Sequence, residues 1–211
     1  MIKEKELVVK YGRKLIDRNL TTGSGGNISV YIKDKNQVAI SPSGLDYYET
    51  KIEDVVIVDL EGNVVEGKQR PSSEIGMHLD FYKARPDIKG IVHTHSKYAT
   101  AISCMGWELP PVHYLIAMAG YSVKCSGYAT YGSKELAQKA LEAIGDSNAV
   151  LLANHGLIAL GEDVEKAFST AEHLEFVSEI YYLTKTLGNP NILSKENMDE
   201  VMKKFGTYKY R

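Results

Sequence analysis

The sequence predicts an α/β protein built as one compact domain over residues 1–211, ending in a short C-terminal tail. Three observations predict it. Short apolar runs of strand length recur, such as Val55-Val56-Ile57-Val58 and Ala149-Val150-Leu151-Leu152-Ala153. Around them lie segments whose apolar residues repeat at helical spacing. No internal repeat, low-complexity stretch or linker divides the chain, which at 44% hydrophobic and 25% charged residues can bury a sizeable core.

Each element has a local reason. Leu7, Val8, Tyr11 and Leu15 mark a helix from about Lys3 to Asn19. Thr21 to Asn27 is a glycine-rich turn, followed by a strand over Ile28–Ile32. Val38-Ala39-Ile40 is a short strand entering the small-residue turn Ser41-Pro42-Ser43-Gly44. Val55–Asp59 and Val64-Val65 flank Glu61-Gly62-Asn63 as a hairpin. Ser72 or Ser73 is a natural N-cap for a helix that ends before Pro86. Gly90-Ile91-Val92 then runs into His93-Thr94-His95, and Ser96 caps a helix through about Met105. Pro110-Pro111 breaks the chain ahead of the apolar stretch Val112–Ile116. Tyr128 to Gly132 is a hydroxyl-rich loop. Ser133 opens a helix to about Ile144, and the strand 149–153 delivers Asn154-His155-Gly156. Asp163 caps a long helix that stops at Gly188-Asn189-Pro190, and Ser194 caps a last one to Phe205.

Charge and composition exclude several classes of function. A net charge of −2 gives no general basic footprint for nucleic acid. The N-terminus is charged and lacks the apolar core of a signal peptide. No run reaches the roughly 20 apolar residues that span a bilayer. A cytoplasmic protein with no nucleic-acid or membrane partner is expected. Cys104 and Cys125 read as two buried or partly buried thiols rather than a disulfide.

The candidate chemistry gathers at strand ends. Side chains at i and i+2 share a face of a strand, so His93 and His95 present two imidazoles side by side. His155, at the end of a second apolar strand, can join them. Three histidines leave an open fourth position, the arrangement of a catalytic Zn²⁺ or similar divalent ion. Glu74, behind two serines at a helix start, can ligate that ion or act as its acid/base partner. Gly25 and Gly26 allow an anion-binding nest, although Gly-Gly-Asn is also an ordinary turn. Serine hydroxyls at a helix start serve capping, phosphate binding or both. His113 reads as structural or as a support behind the ligands, and His173 as a helix-face residue.

With these motifs in view, the chain resembles the class II aldolase/epimerase/adducin-head superfamily, and within it the L-fuculose-1-phosphate aldolases. The matching segments are Gly25–Ser29, Ser41–Gly44, Pro71–Glu74, Val92–His95, His113-Tyr114, Tyr128–Gly132, Asn154–Gly156 and Phe205–Tyr208. They keep the family's order over almost the whole chain. The resemblance implies a three-layer α/β/α fold with a mainly antiparallel central sheet. It implies a homotetramer with active sites at subunit interfaces, holding one Zn²⁺ per subunit on His93, His95 and His155. Glu74 matches the acid/base carboxylate, which can also contact the metal before substrate arrives. Gly26, Asn27, Ser43, Gly44, Ser72 and Ser73 match the phosphate pocket. Tyr114 and Tyr208 match catalytic tyrosines of a site completed across subunits.

The implied activity is reversible aldol cleavage of a ketose 1-phosphate, foremost L-fuculose 1-phosphate to dihydroxyacetone phosphate and L-lactaldehyde. Tyr131 stands where that branch has Phe, and Ser24-Gly25 where it has Thr-Ala, at the substrate pocket or its rim. L-ribulose-5-phosphate 4-epimerase is the nearest alternative, but its pattern has Asp where this chain has Glu74. Methylthioribulose-1-phosphate dehydratase is a third. A non-catalytic adducin-head-like binding module would show eroded ligands, whereas all three histidines and Glu74 are present.

Overall fold

The computed structural model describes residues 1–207. Tyr208, matched above to a catalytic tyrosine, lies outside the described residues. Helix α1 spans Ile2–Asp17 and is followed by strands β1 (Asn27–Ile32), β2 (Gln37–Ile40), β3 (Val56–Asp59) and β4 (Val64–Glu66). Helix α2 (Ile75–Ala84) leads to β5 (Gly90–Thr94), then α3 (Lys97–Cys104), β6 (Cys125–Ser126) and α4 (Lys134–Ile144). The chain closes with β7 (Ala149–Leu152), β8 (Gly156–Gly161), α5 (Val164–Leu187) and α6 (Lys195–Thr207).

The strands form one eight-stranded sheet in the order β4-β3-β2-β1-β5-β8-β7-β6. It is mixed: β6 runs parallel to β7 while the other neighbours pair antiparallel, so the sheet is mainly antiparallel, as expected, with one parallel edge. Side chains alternate cleanly between faces. Ile28, Val30, Val92, Leu157 and Ala159 join one core with α1, α3 and α5. Ile91, Val150, Leu152, Ile158 and Leu160 join a second core with α2 and α4. Helices cover both faces, so the central strands need apolar residues at nearly every position.

Beyond the two-residue strand β6, for which the sequence carries no signal, two elements differ from the sequence reading. β8 was not anticipated, although Leu157-Ile158-Ala159-Leu160 is an apolar run bounded by glycines, which suits a strand buried on both faces. The N-cap position of α2 is Glu74 rather than Ser72 or Ser73. Ser72 Oγ instead accepts from the Glu74 amide at 3.3 Å, holding the turn just before the helix. Ser96 does occupy the N-cap of α3, but its hydroxyl makes no capping bond. The Glu175 carboxylate, reaching across from α5, accepts from the amides of Tyr98 and Ala99 at 2.9 Å each. Both cysteines are free, and Cys104 is exposed rather than buried. Among the described residues no helix is long and apolar enough to cross a membrane.

Candidate metal centre and its cavity

The centre of the sheet brings the sequence-predicted ligands together. β1 pairs with β5 so that Asn27 lies opposite His93, and β5 pairs with β8 so that His93 lies opposite Ile158. His155 sits in the tight connection between β7 and β8, where Asn154 takes a left-handed φ of 56°. Glu74 enters from the start of α2. A Cβ on Gly26 would stand 2.5 Å from the His93 carbonyl oxygen, and its φ is +67°. Only glycine lets that turn press against the ligand-bearing strand.

Three Nε2 atoms converge. His93 Nε2 lies 3.0 Å from that of His95 and 3.2 Å from that of His155. Glu74 adds Oε2 at 3.1 Å from His93 Nε2 and Oε1 at 3.4 Å from His155 Nε2. One ligand atom from each of the four lies within 4.8 Å of the others. His93 Nδ1 is 3.0 Å from the Leu157 carbonyl and donates to it, so Nε2 is the ring nitrogen left to bind a metal ion once its proton is displaced. Lone pairs and a carboxylate facing one another at this range need a cation between them. A tetrahedral Zn²⁺ with nitrogens at about 2.0–2.1 Å would space them about 3.3–3.4 Å apart, so the donor set and its spacing fit that ion.

The electrostatics carry the same signature. Burial would raise the Glu74 carboxyl, but the attraction of His93 and His155 and the hydrogen bond from Asn27 hold it well below the usual carboxylate range. Burial and the neighbouring His93 charge push His95 down to about 3 and His155 down to about 4. These two imidazoles are neutral and ready as ligands at neutral pH, whereas Glu74 outweighs burial and raises His93, whose proton a metal ion would displace.

Above the cluster opens a cavity of about 380 Å³. Glu74, His95 and His155 lie at its floor, and all six residues expected to hold phosphate line its walls: Gly26, Asn27, Ser43, Gly44, Ser72 and Ser73. An isolated bridge between Pro42 and Pro71 ties the two serine loops together. The amides of Ser43 and Ser72 donate to the carbonyls of Arg70 and Ser41, so these two residues turn hydroxyls, not amides, to the cavity. The Asn27 side chain is committed inward, to Glu74 and to His78. Tyr128 and Tyr131 form the rim.

Tyr114 stands apart. It is 49% exposed on a 3₁₀ turn over Tyr114–Met118 and does not line this cavity. His113 beside it packs on Tyr114 and Phe176 and accepts from the Leu115 amide, consistent with a structural role. His173 bonds back to the Ser169 carbonyl one turn earlier on its own helix. The residue that sequence reasoning missed is His78, fully buried and one helical turn beyond Glu74. That i, i+4 spacing of a carboxylate and an imidazole was the available signal.

Comparison with known proteins follows the same lines. The family described as Class II Aldolase and Adducin N-terminal domain matches residues 6–182. The 5-deoxy-D-ribulose 1-phosphate aldolase of Bacillus thuringiensis serovar kurstaki is 54% identical over 206 residues, covering 98% of this chain and 97% of that protein. The 5-methylthioribulose-1-phosphate/5-deoxyribulose-1-phosphate aldolase of Rhodospirillum rubrum is 37% identical, covering 95% of this chain and 90% of that protein. A solved structure of an L-fuculose 1-phosphate aldolase superposes with a TM-score of 0.95 at 46% identity, covering 97% of this chain and 96% of that one.

Proposed function

Because the chain belongs to the class II aldolase and adducin N-terminal domain family and matches aldolases of that family over nearly its whole length, we propose that it cleaves a deoxyketose 1-phosphate between C3 and C4. We place 5-deoxy-D-ribulose 1-phosphate first, with dihydroxyacetone phosphate and a two-carbon aldehyde as products, on the strength of the relative at 54% identity. L-Fuculose 1-phosphate, which the sequence resemblance suggests, is the second reading and is favoured by the fold match at 46% identity. The two differ by one carbon on the aldehyde side. Tyr131, at the rim and 69% exposed, faces that choice in place of the expected Phe.

One observation carries the reading. Glu74 Oε1 is buried, has no hydrogen-bond partner, and lies 3.4 Å from His155 Nε2 within the cluster of three imidazoles, beside a cavity walled by glycines and hydroxyls. Zn²⁺ held by His93, His95 and His155 supplies a Lewis acid for the ketose oxygens and for the negative charge that cleavage leaves on the ketone fragment. The chain's own groups do the rest. The hydroxyls of Ser43, Ser72 and Ser73 and the glycine turns at Gly26 and Gly44 hold the phosphate and fix the sugar's register. Glu74 takes the proton from the C3 hydroxyl, a base takes the proton from the C4 hydroxyl, the C3–C4 bond breaks, and the electron pair stays on the three-carbon fragment. Glu74 then returns its proton to carbon C3 through Oε1, and the proton taken from the C4 hydroxyl goes to the C3 oxygen, so the products carry every proton of the substrate.

Tyr114 and Tyr208 are assigned to the C4 oxygen from a neighbouring subunit of a homotetramer. The exposure of Tyr114 and its absence from this chain's own cavity support that assignment. Epimerisation would need the fragments retained and rejoined. A panel of ketose phosphates, scored for dihydroxyacetone phosphate release against epimer formation, decides the matter. Epimer without free aldehyde would overturn the aldolase reading, and preference for the six-carbon substrate would reverse the order of the two sugars. Cytoplasmic location goes with this reading.

A further inference from the structure

Beneath the cavity runs a chain of buried polar groups that the cleavage scheme does not use. The Tyr82 hydroxyl lies 2.8 Å from Ser29 Oγ, which lies 2.7 Å from His78 Nδ1. His78 Nε2 lies 2.5 Å from Asn27 Oδ1, and Asn27 Nδ2 lies 2.9 Å from Glu74 Oε2. Chemistry gives every link one direction. A carboxylate only accepts, so the Asn27 amide must turn its NH₂ to Glu74 and its oxygen to His78. Nε2 of His78 must therefore carry the ring proton. Nδ1 is then a lone pair that accepts from Ser29, and Ser29 in turn accepts from Tyr82. Four groups donate in sequence toward one carboxylate oxygen.

We propose that His78 is a positioning residue for Glu74, fixing through Asn27 which carboxylate oxygen is anchored and which is left to serve the substrate. Oε2 is the anchored one. Oε1, buried and without a hydrogen-bond partner, is the one left to move the proton. Without a donor at Nε2 the Asn27 oxygen is left buried and unpaired, and the amide is held from one side only, by the carboxylate it is meant to anchor. His78 touches neither the cavity nor the three clustered imidazoles by hydrogen bond, so its influence passes through Asn27. Burial and the nearby His93 charge depress its pKa to about 3, in keeping with a neutral ring of fixed tautomer. The inference rests on the proposed role of Glu74 as the acid/base.

Three substitutions and one spectrum test it. Glutamine reaches as far as Nε2 and keeps an N–H for Asn27, whereas asparagine reaches only toward Ser29 and leucine offers neither bond. With the ketose 1-phosphate that the wild type cleaves, His78→Asn and His78→Leu should lower kcat by about 10–100-fold, the usual cost of a misplaced reacting group. KM and zinc per subunit should stay near wild type, and His78→Gln should retain most of kcat. Nitrogen-15 NMR of histidine-labelled wild type, with the His78 signals assigned by their loss in His78→Gln, should show Nε2 protonated and Nδ1 bare. Equal losses in the Gln and Asn variants, a kcat loss that tracks lost zinc, or an Nδ1–H tautomer would each overturn the proposal. The tautomer is read on wild type, so it decides even where the leucine variant fails to fold. Failure of the aldolase reading looks different: the wild type then releases no aldehyde, and the tautomer alone judges the anchoring.

Discussion

Glu74→Gln separates proton transfer from metal holding. The Asn27 amide presents N–H to Oε2 at 2.9 Å, so the new side chain must place its one oxygen there. Its NH₂ then takes the position of Oε1, 3.4 Å from His155 Nε2, where it can neither accept nor carry a proton between substrate atoms. Loss of a positioned proton-transfer group costs about 10²–10⁴ in rate. That is about 2.7–5.4 kcal/mol of barrier, at 1.36 kcal/mol per tenfold. Zinc should stay near one per subunit, because His93, His95 and His155 remain. The melting temperature should move by no more than about 4 °C, the shift that about 1 kcal/mol gives in a chain of this size. Dihydroxyacetone phosphate release coupled to its reduction reads the rate, while metal analysis and calorimetry read the other two. A variant that is folded, zinc-loaded and nearly as fast as wild type would refute the assignment of Glu74. Loss of metal or fold ahead of rate would make it a ligand or a structural carboxylate instead.

Stripping the metal with a strong chelator should abolish cleavage, and Zn²⁺ or Co²⁺ should restore it; full activity in a verified metal-free preparation would refute the metal centre. Ser73→Glu adds negative charge to the cavity wall and should raise KM far more for a phosphorylated substrate than for its unphosphorylated analogue, which paired Michaelis curves would check. Acid should destabilise the fold partly through His78, whose pKa falls from 6.5 to about 3 on burial. Between those values the unfolded chain binds the extra proton, so stability rises with pH and is lost as pH drops from 6.5 toward 3, by up to about 1.4 kcal/mol per unit for this group. Denaturant titrations of wild type and His78→Gln across that window should show the shallower slope in the variant.

The ligands were legible because they sit where regular structure stops. An i, i+2 pair closing an apolar run and a third histidine closing another are patterns that period-two geometry explains without tertiary knowledge. The residues proposed for the phosphate were legible as small-residue turns, but their shared cavity depends on strand pairings such as Ser29 with Ile40 and on the Pro42–Pro71 bridge, which no local rule supplies. His78 was hidden for a different reason. It lies among Met77, Leu79, Phe81 and Tyr82, so its segment reads as core, and its partners come from a strand some 50 residues earlier. β8 is obscured because its first residue, Gly156, also closes the Asn154-His155-Gly156 motif, so the strand starts with no separate turn residues to set it off. Ser96 illustrates how a correct position can have the wrong agent, since the carboxylate that caps α3 arrives from α5.

The ligand set has a consequence for how the protein comes into being. His93 and His155 are 62 residues apart in sequence and meet only after β8 has inserted beside β5. Closing that loop costs chain entropy that no local contact repays, so the histidine cluster is assembled late. A chain still emerging from the ribosome, with β5 made but β7 and β8 still to come, can offer at most the His93–His95 pair and Glu74. Zinc therefore cannot template the early fold and instead rewards its completion. By mass action it tightens the finished subunit in proportion to free metal, and a cell short of zinc would carry a larger share of this protein in opened, protease-accessible forms.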